Sequence, residues 1–306
     1  MQRALDIILH LSLLLVLPPL LLGVVNRTKA LWSGRRGQPL LQLYYDLAKL
    51  SRKGLVLGSV TTPVFWLGPI LSVATVVLAA LLLPFGQHAP VVSFSGDLIL
   101  FCYLLALARF FVAAAALDTG SAFEGMGAAR EVTLASLAEP ALFFGLLVLA
   151  KTSGGRSLQA LLSDPWAGID VRGTSAALVL TAASWLVVLL AETCRVPFDD
   201  PNTHLELTMI HEVMVLDHSG PLFCLVQYGA ALKLFVLSAL LTRLVAPVTV
   251  HHALGDWALF AVVVLAFGVV VGTIESVAAR LRLVRVPQLL VSACLLSAFG
   301  LILVAR

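Results

Sequence analysis

Apolar runs of about twenty residues recur along the chain, separated by polar breaks. They cover residues 4–25, 64–84, 97–117, 132–150, 174–191, 221–244, 256–277 and 286–305. A helix needs about 20 residues to cross the ~30 Å hydrocarbon core of a bilayer, so each run predicts one spanning helix. None of the runs alternates polar and apolar positions in the manner of barrel strands, which excludes a membrane β-barrel. The expected fold class is an all-α integral membrane protein, a single polytopic domain over 1–306 with eight transmembrane helices. The first run follows one early cation, Arg3, and no small-residue cleavage site precedes Asn26. It therefore reads as a span and not as a signal peptide. Only a short link bearing Arg280, Arg282 and Arg285 parts the last two runs.

Two links are longer than a connector requires. The first, 26–63, is basic. Within it Leu40, Leu41, Leu43, Tyr44, Leu47 and Leu50 fall on one helical face, while Asp46, Lys49 and Lys53 are polar. That spacing predicts an amphipathic helix at the interface, as an anchor, a docking surface for a partner, or both. The second link, 192–220, carries Glu192, Asp199, Asp200, Glu206, Glu212 and Asp217 against one cation, Arg195. Asp200-Pro201-Asn202-Thr203 reads as a turn and helix start, and 204–217 as a helix. Acids and histidines alternate there with Leu, Ile, Met and Val, so much of the segment is expected to be buried. The two links together are expected to form one docking surface, with Arg35, Arg36, Gln42, Asp46, Lys49, Arg195, Asp200 and His204 as its polar contacts. Arg35, Arg36 and Arg195 would offer bidentate forks to acids of a partner.

Of the cations, twelve lie in the links after spans one, three, five and seven, and six lie on the other side, termini included. The excess places the odd-numbered links in the cytoplasm and both termini outside.

Composition sharpens this picture. Of 306 residues, 60% are apolar and only 12% charged, and the mean hydropathy is +1.00. Soluble domains run at about 45–50% apolar and about 25% charged, so neither a soluble fold nor disorder fits. Net charge is +3, and the basic residues form no aromatic-interleaved patch for nucleic acid. The four cysteines, Cys102, Cys194, Cys224 and Cys294, form no CxxC pair; they read as small apolar residues, and no cluster or zinc motif is present. His204, His211 and His218 are seven apart, about 10 Å along a helix, too far to share one ion. No nucleophile–base pair, phosphate loop or nucleotide fingerprint appears.

The candidate chemistry lies in acids at the span ends. Glu131 and Glu139 fall at the start of the fourth span, Glu192 at the end of the fifth and Glu275 near the end of the seventh, with Asp118 and Glu124 after the third. Arg109 and Lys233 are cations inside spans. Charge at such depth is costly and is resolved by pairing or by a water-filled path. The residues read as an ion-translocation set are Glu131, Glu139, Glu192, Asp199, Glu206, Glu212, Arg109 and Lys233. Unpaired buried carboxylates would hold protons near neutrality; fixed ion pairs that hold helices together are the structural alternative.

Three blocks of the chain resemble a known family. AETCRVPFDDPNTHLEL is similar to the AExxRxPFDxxExxxEL signature of the complex I membrane subunit that adjoins the quinone site, the NuoH type. GRRGQPLLQLYYDLAKL and GAAREVTLASLAEP match the same family. The continuation DDPNTHLELTMIHEVMVLDHSGP resembles the corresponding subunit of group 4 nickel–iron hydrogenases, the family of formate hydrogenlyase subunit 4, hydrogenase-4 component C and the Ech-type anchor. That resemblance implies a subunit that is not catalytic alone and belongs to an oxidoreductase complex. It would anchor a soluble arm of hydrogenase large and small subunits and an iron–sulfur subunit, and begin a proton or sodium path toward antiporter-like membrane subunits. The nickel–iron site and iron–sulfur clusters would sit in those partners, with no cofactor or metal bound by this chain. Related chains carry an acid where this one has Gln227, which cannot titrate. The alternatives are the quinone-site subunit of an NADH dehydrogenase and a stand-alone secondary transporter, whose internal repeats and broken spans are not found here.

Overall fold

A computed structural model describes residues 2–166, 174–199, 209–247, 250 and 252–305. Its helices are α1 (Gln2–Trp32), α2 (Gln42–Leu50), α3 (Pro63–Leu82), α4 (Asp97–Asp118), α5 (Ala122–Ser153), α6 (Leu158–Leu162), α7 (Thr174–Glu192), α8 (His211–Met214), α9 (Gly220–Val245), α10 (Ala253–Val277) and α11 (Val286–Ala305). No strand occurs among the described residues. Eight of these helices, α1, α3, α4, α5, α7, α9, α10 and α11, are long and apolar enough to cross a bilayer. The eight-helix all-α architecture expected from the hydropathy pattern is the one observed.

The helix α9 is the centre of the bundle. In its most apolar window 72% of residues are buried, against 22–44% in the other spans. It packs on α1, α3, α7 and α10, while α3 pairs with α4 and α11 lies against both α5 and α7. Close approach is written into the sequence at Gly145 of α5, where any Cβ would overlap the indole nitrogen of Trp185 on α7. Trp185 uses that nitrogen to donate to the Leu142 carbonyl at 3.3 Å. Large side chains such as Tyr103, Phe110, Val262 and Phe299 face outward, as lipid-facing positions require.

Capping locks α4 to α3. Pro63 opens α3 and Thr62 caps it. The carboxylate of Asp118, at the end of α4, accepts from the backbone nitrogens of Thr62 (2.7 Å) and Phe65 (3.2 Å). The Thr62 amide is thereby satisfied, and that of Phe65, which also reaches the Thr62 carbonyl at 3.2 Å, gains a second acceptor.

Three expectations need correction. The fourth span begins at Ala122, not near residue 132. Gly120, with φ +68°, supplies the turn, and the helix starts at once even though its first turns carry Glu124, Arg130 and Glu131. Glu139 is therefore mid-helix and not at a helix start. The helix expected over 204–217 is, within the described part, only His211–Met214. Met209, Ile210, Val213, Met214 and Val215 are all buried, and the segment bends to place them against α4 and α5. The amphipathic helix is present as α2, lying on α1 and α9 with Leu43 buried. Leu40 and Leu41 precede it and are exposed.

Candidate functional site: a buried charge cluster and two cavities

Four helices contribute one charged residue each to a continuous chain. Glu192, the last residue of α7, accepts from Arg109 of α4 through Oε1 at 2.5 Å. Its Oε2 lies 2.8 Å from Lys233 Nζ of α9. The other arm of Arg109, Nη2, reaches Glu139 Oε1 of α5 at 2.6 Å. The order Glu139–Arg109–Glu192–Lys233 alternates in sign. Only 5% of the Glu192 side chain is exposed, against 49% for Glu139. Buried charges persist when the counter-charge and hydrogen bonds replace lost hydration, and Glu192 has both from two cations. The expectation of an unpaired acid therefore fails at Glu192.

It holds at Glu131. This residue is buried and makes no ion pair among the described residues. Among the described residues its one side-chain hydrogen bond is from Cys194 Sγ, 3.5 Å from Oε2. Burial, then the charges of Glu131 and Asp199, push the Cys194 thiol well above its usual pKa. The thiol thus stays protonated and gives Glu131 only a weak donor. Arg130, next to Glu131, turns away and donates to the Met209 carbonyl at 3.0 Å.

Between Glu131 and the charged chain lies a cavity of about 60 Å³, bounded also by Ser72, Thr193, Cys194 and His211. One water needs roughly 10–15 Å³ of such volume, so the space takes a few waters among polar partners. A second cavity, about 340 Å³, lies on the α2 side. Asn26, Lys29, Gln38, Gln42 and Asp46 line it from the first long link, and Arg195, Asp199, His211 and Glu212 from the second. The two cavities share Thr193, Cys194, His211, Val226 and Ala230, so a wall one residue thick parts them.

The wall of the larger cavity is itself ion-paired. Glu275 of α10 receives Lys29 at 2.7 Å and Arg195 at 2.5 Å. Asp199 accepts the Ile210 amide at 2.8 Å and faces Arg280 at 3.2 Å. Arg195 is therefore turned inward onto Glu275, which corrects its assignment as an exposed fork for a partner. Burial of Glu275 explains the choice: with its side chain 1% exposed, the carboxylate needs charge close by.

The set expected from sequence thus divides. Arg109, Glu131, Glu192 and Lys233 share the small cavity, and Gln42, Asp46, Arg195, Asp199 and Glu212 share the large one. Glu139 joins the charged chain from outside. Arg35, Arg36 and Lys49 are exposed near α2. Asp200, His204 and Glu206 lie outside the described residues. The two long links do meet: Ser219 Oγ contacts the backbone of Val56 at 3.1 Å. Sequence reasoning missed Cys194 and His211, which form the wall between the cavities, and Lys29. Cys194 follows Glu192 by two residues, and that proximity was the available signal. No group of three or more His, Cys, Asp or Glu is placed to hold a metal ion among the described residues.

Comparison with known proteins gives a consistent result. Over 235 residues the chain is 34% identical to hydrogenase-4 component C of Escherichia coli strain K12, covering 77% of this chain and 73% of that one. Formate hydrogenlyase subunit 4 of the same organism is 31% identical over 282 residues, 90% of each. A subunit of the NADH-quinone oxidoreductase of Polaromonas naphthalenivorans strain CJ2 is 26% identical over 66% of this chain and 58% of its own length. A chain of the membrane-bound sulfane sulfur reductase, an archaeal respiratory membrane complex, has the same fold, with TM-score 0.84 at 21% identity over 99% of this chain and 98% of that one. The family model described as NADH dehydrogenase matches residues 5–306, and the chain belongs to that family.

Proposed function

We propose that this chain is the membrane anchor and ion-translocation subunit of a complex I-like, energy-converting hydrogenase of the formate hydrogenlyase type. It would lie in a bacterial or archaeal cytoplasmic membrane with both termini outside. The observation that carries the reading is the chain Glu139–Arg109–Glu192–Lys233 with Glu131 across a water-sized cavity. The relatives favour the hydrogenase branch, because identity and coverage are higher there than for the NADH-quinone oxidoreductase relative.

In this reading the soluble arm docks over α2, the exposed Arg35, Arg36 and Lys49, and the segment around α8. The nickel–iron site and iron–sulfur clusters belong to the docked hydrogenase and iron–sulfur subunits. A change of charge at the docked face acts through the large cavity on the Glu275–Arg195–Lys29 and Asp199–Arg280 pairs. The field shifts Arg109 and Lys233 between the carboxylates of Glu192 and Glu131. Glu131 faces those cations across the waters of the small cavity, and the charge movement would continue through it. Glu139 receives the charge at the far side and passes it toward antiporter-like membrane subunits. No cofactor in this chain is needed for such coupling.

Glu131→Gln is the test, because Glu131 has no ion pair among the described residues whose loss would confuse the result. In membrane vesicles the assembled complex should keep most of its electron transfer while the ion-to-electron ratio falls. An unchanged ratio would refute the role of Glu131 in the path. A second reading, the quinone-site subunit of an NADH dehydrogenase, is favoured by the larger cavity, since about 340 Å³ falls in the range of small-molecule sites. Electron donors separate the two: quinone-dependent NADH oxidation by the purified complex, without hydrogen evolution, would select the second.

A further inference from the structure

The chain turns back on itself at the end of α1 and makes a basic recess there. Gly34, at φ +67°, ends the helix. The amides of Gly34 and Arg35 donate to the carbonyls of Leu31 (3.1 Å) and Ala30 (2.8 Å). This paired-bond glycine termination satisfies carbonyls that a helix end otherwise leaves free. Gly37 then passes so close to α1 that any Cβ there would overlap the Ala30 side chain. The returning segment, the last turns of α1 and the end of α10 enclose an open pocket of about 610 Å³. Asn26, Lys29, Ser33, Arg35, Gln38 and Ser276 line it. It borders the 340 Å³ cavity through Asn26, Lys29 and Gln38, whereas Ser33, Arg35 and Ser276 do not line that cavity.

The charge of the pocket is one-sided. Residues 26–45 hold Arg27, Lys29, Arg35 and Arg36 and no acid. Glu275, beside Ser276, answers Lys29 and Arg195 together, so that group keeps one positive charge in excess. Arg35 is exposed and makes no ion pair among the described residues. The rim, by contrast, is apolar: Leu31, Trp32 and Val277 are exposed. The Trp32 indole nitrogen donates to Thr273 Oγ1 at 3.2 Å, which pins the ring across α1 and α10. The apolar run of α1 ends at Val25. Lys29 and Trp32 therefore stand about 6 Å and about 10 Å beyond the hydrocarbon edge at 1.5 Å per residue, at the level of the lipid headgroups.

We infer that this pocket binds the phosphate headgroup of an anionic phospholipid. Lys29 and Arg35 take the phosphate oxygens, and the acyl chains leave over Leu31, Trp32 and Val277. A basic recess between spans suits such a headgroup, and an exposed tryptophan belongs at that depth. Inorganic phosphate offers the same oxygens but has nothing to set against the apolar rim, so the rim selects the lipid. A zwitterionic headgroup would bring its own cation into a surplus of positive charge. In the assembled complex the lipid lies at the seam between bilayer and docked arm, with Arg36 and Lys49 left to that arm. The inference rests on the chain's place in a bilayer and not on which ion it moves.

Photo-reactive lipids test it on the intact complex reconstituted in phosphatidylcholine vesicles. The probe is a phosphatidylglycerol with a diazirine in its acyl chain close to the glycerol, and a phosphatidylcholine carrying the same group is its match. Phosphatidylglycerol should label residues 26–38 and 273–277 at least about fivefold more than phosphatidylcholine does, the worth of one cation beside an anionic surface. Arg35→Gln should lower that labelling by about the same factor. Arg52→Gln, which removes an exposed cation outside the pocket, should leave it unchanged. Equal labelling by the two lipids, no fall in Arg35→Gln, or an equal fall in both variants would overturn the inference. So would labelling abolished by excess inorganic phosphate at matched ionic strength, which would make the pocket a site for free phosphate. The labelling is read without an ion gradient, so it can stand while the path through Glu131 falls, or the reverse.

Discussion

Glu192 binds two buried cations, so replacing it by glutamine should be far more damaging than the same change at Glu139. In Glu192→Gln the shape is kept, and the amide oxygen can still accept from one partner. Lys233 and Arg109 are then left facing each other in a site whose side chains are only 12% and 10% exposed. Breaking a buried pair by removing one partner costs about 3–5 kcal/mol. In Glu139→Gln the Arg109 guanidinium keeps Glu192 as its counter-charge, so no buried charge is stranded and the loss should be smaller. Removing Lys233 as well, by Lys233→Met in the Glu192→Gln background, takes away one stranded charge. The double variant should therefore recover part of the loss, with a coupling of about 1–3 kcal/mol between the two sites. Temperature-dependent precipitation of the detergent-solubilised complex, with this chain followed by immunoblot and with Lys233→Met alone included, ranks the five proteins. A Glu192→Gln variant as stable as Glu139→Gln, or losses that simply add in the double variant, would refute the shared-counter-ion argument. This ranking is also why Glu131, and not Glu192, is the clean position for measuring ion transfer.

Two further outcomes follow from the packing. His218, just before α9, is buried and stacked on Phe65 at 4.2 Å, and burial lowers its pKa from 6.5 to about 4. The unfolded chain then binds more protons between those values, so the stabilisation is complete above pH 6.5 and is lost as pH falls toward 4, by about 3 kcal/mol; His218→Phe should flatten that part of a stability–pH curve. At Gly145 a larger residue has no room beside Trp185, so Gly145→Val should cost at least about 1–3 kcal/mol and change the tryptophan fluorescence of the folded protein.

Most of the fold could be read in the sequence because lipid imposes a length and an apolar content on each span. The ends were harder. The start of α5 was hidden because Glu124, Arg130 and Glu131 look like a polar link, whereas the helix buries Glu124 and Glu131 inside the protein. Likewise the alternation of polar and apolar residues near 209–215 suggested a long helix, but tertiary burial of nearly every apolar side chain there allowed only one turn. The right charged residues could be named, since intramembrane charge is rare. Their pairing could not. Glu192 and Lys233 are partners across 41 residues, Arg195 and Glu275 across 80, and no local pattern encodes which acid meets which cation. Cys194 and His211 were discounted because their residue types suggested packing and metal binding, and only the two cavities show them as a dividing wall.

The enclosure of α9 also bears on how the chain enters the membrane. Its window has the lowest mean hydropathy of the eight spans, 1.8, and it carries Lys233 near its middle. Left alone in lipid, that helix would expose an ammonium with nothing to neutralise it. During synthesis, however, α4, α5 and α7 emerge first, so Glu139, Arg109 and Glu192 are in the bilayer before Lys233 arrives. Once Arg109 has met Glu139, the Glu192 carboxylate has charge to spare for an incoming cation. The order of the helices along the chain is thus also an order of assembly, in which the most enclosed helix slots into a socket already carrying its counter-charge.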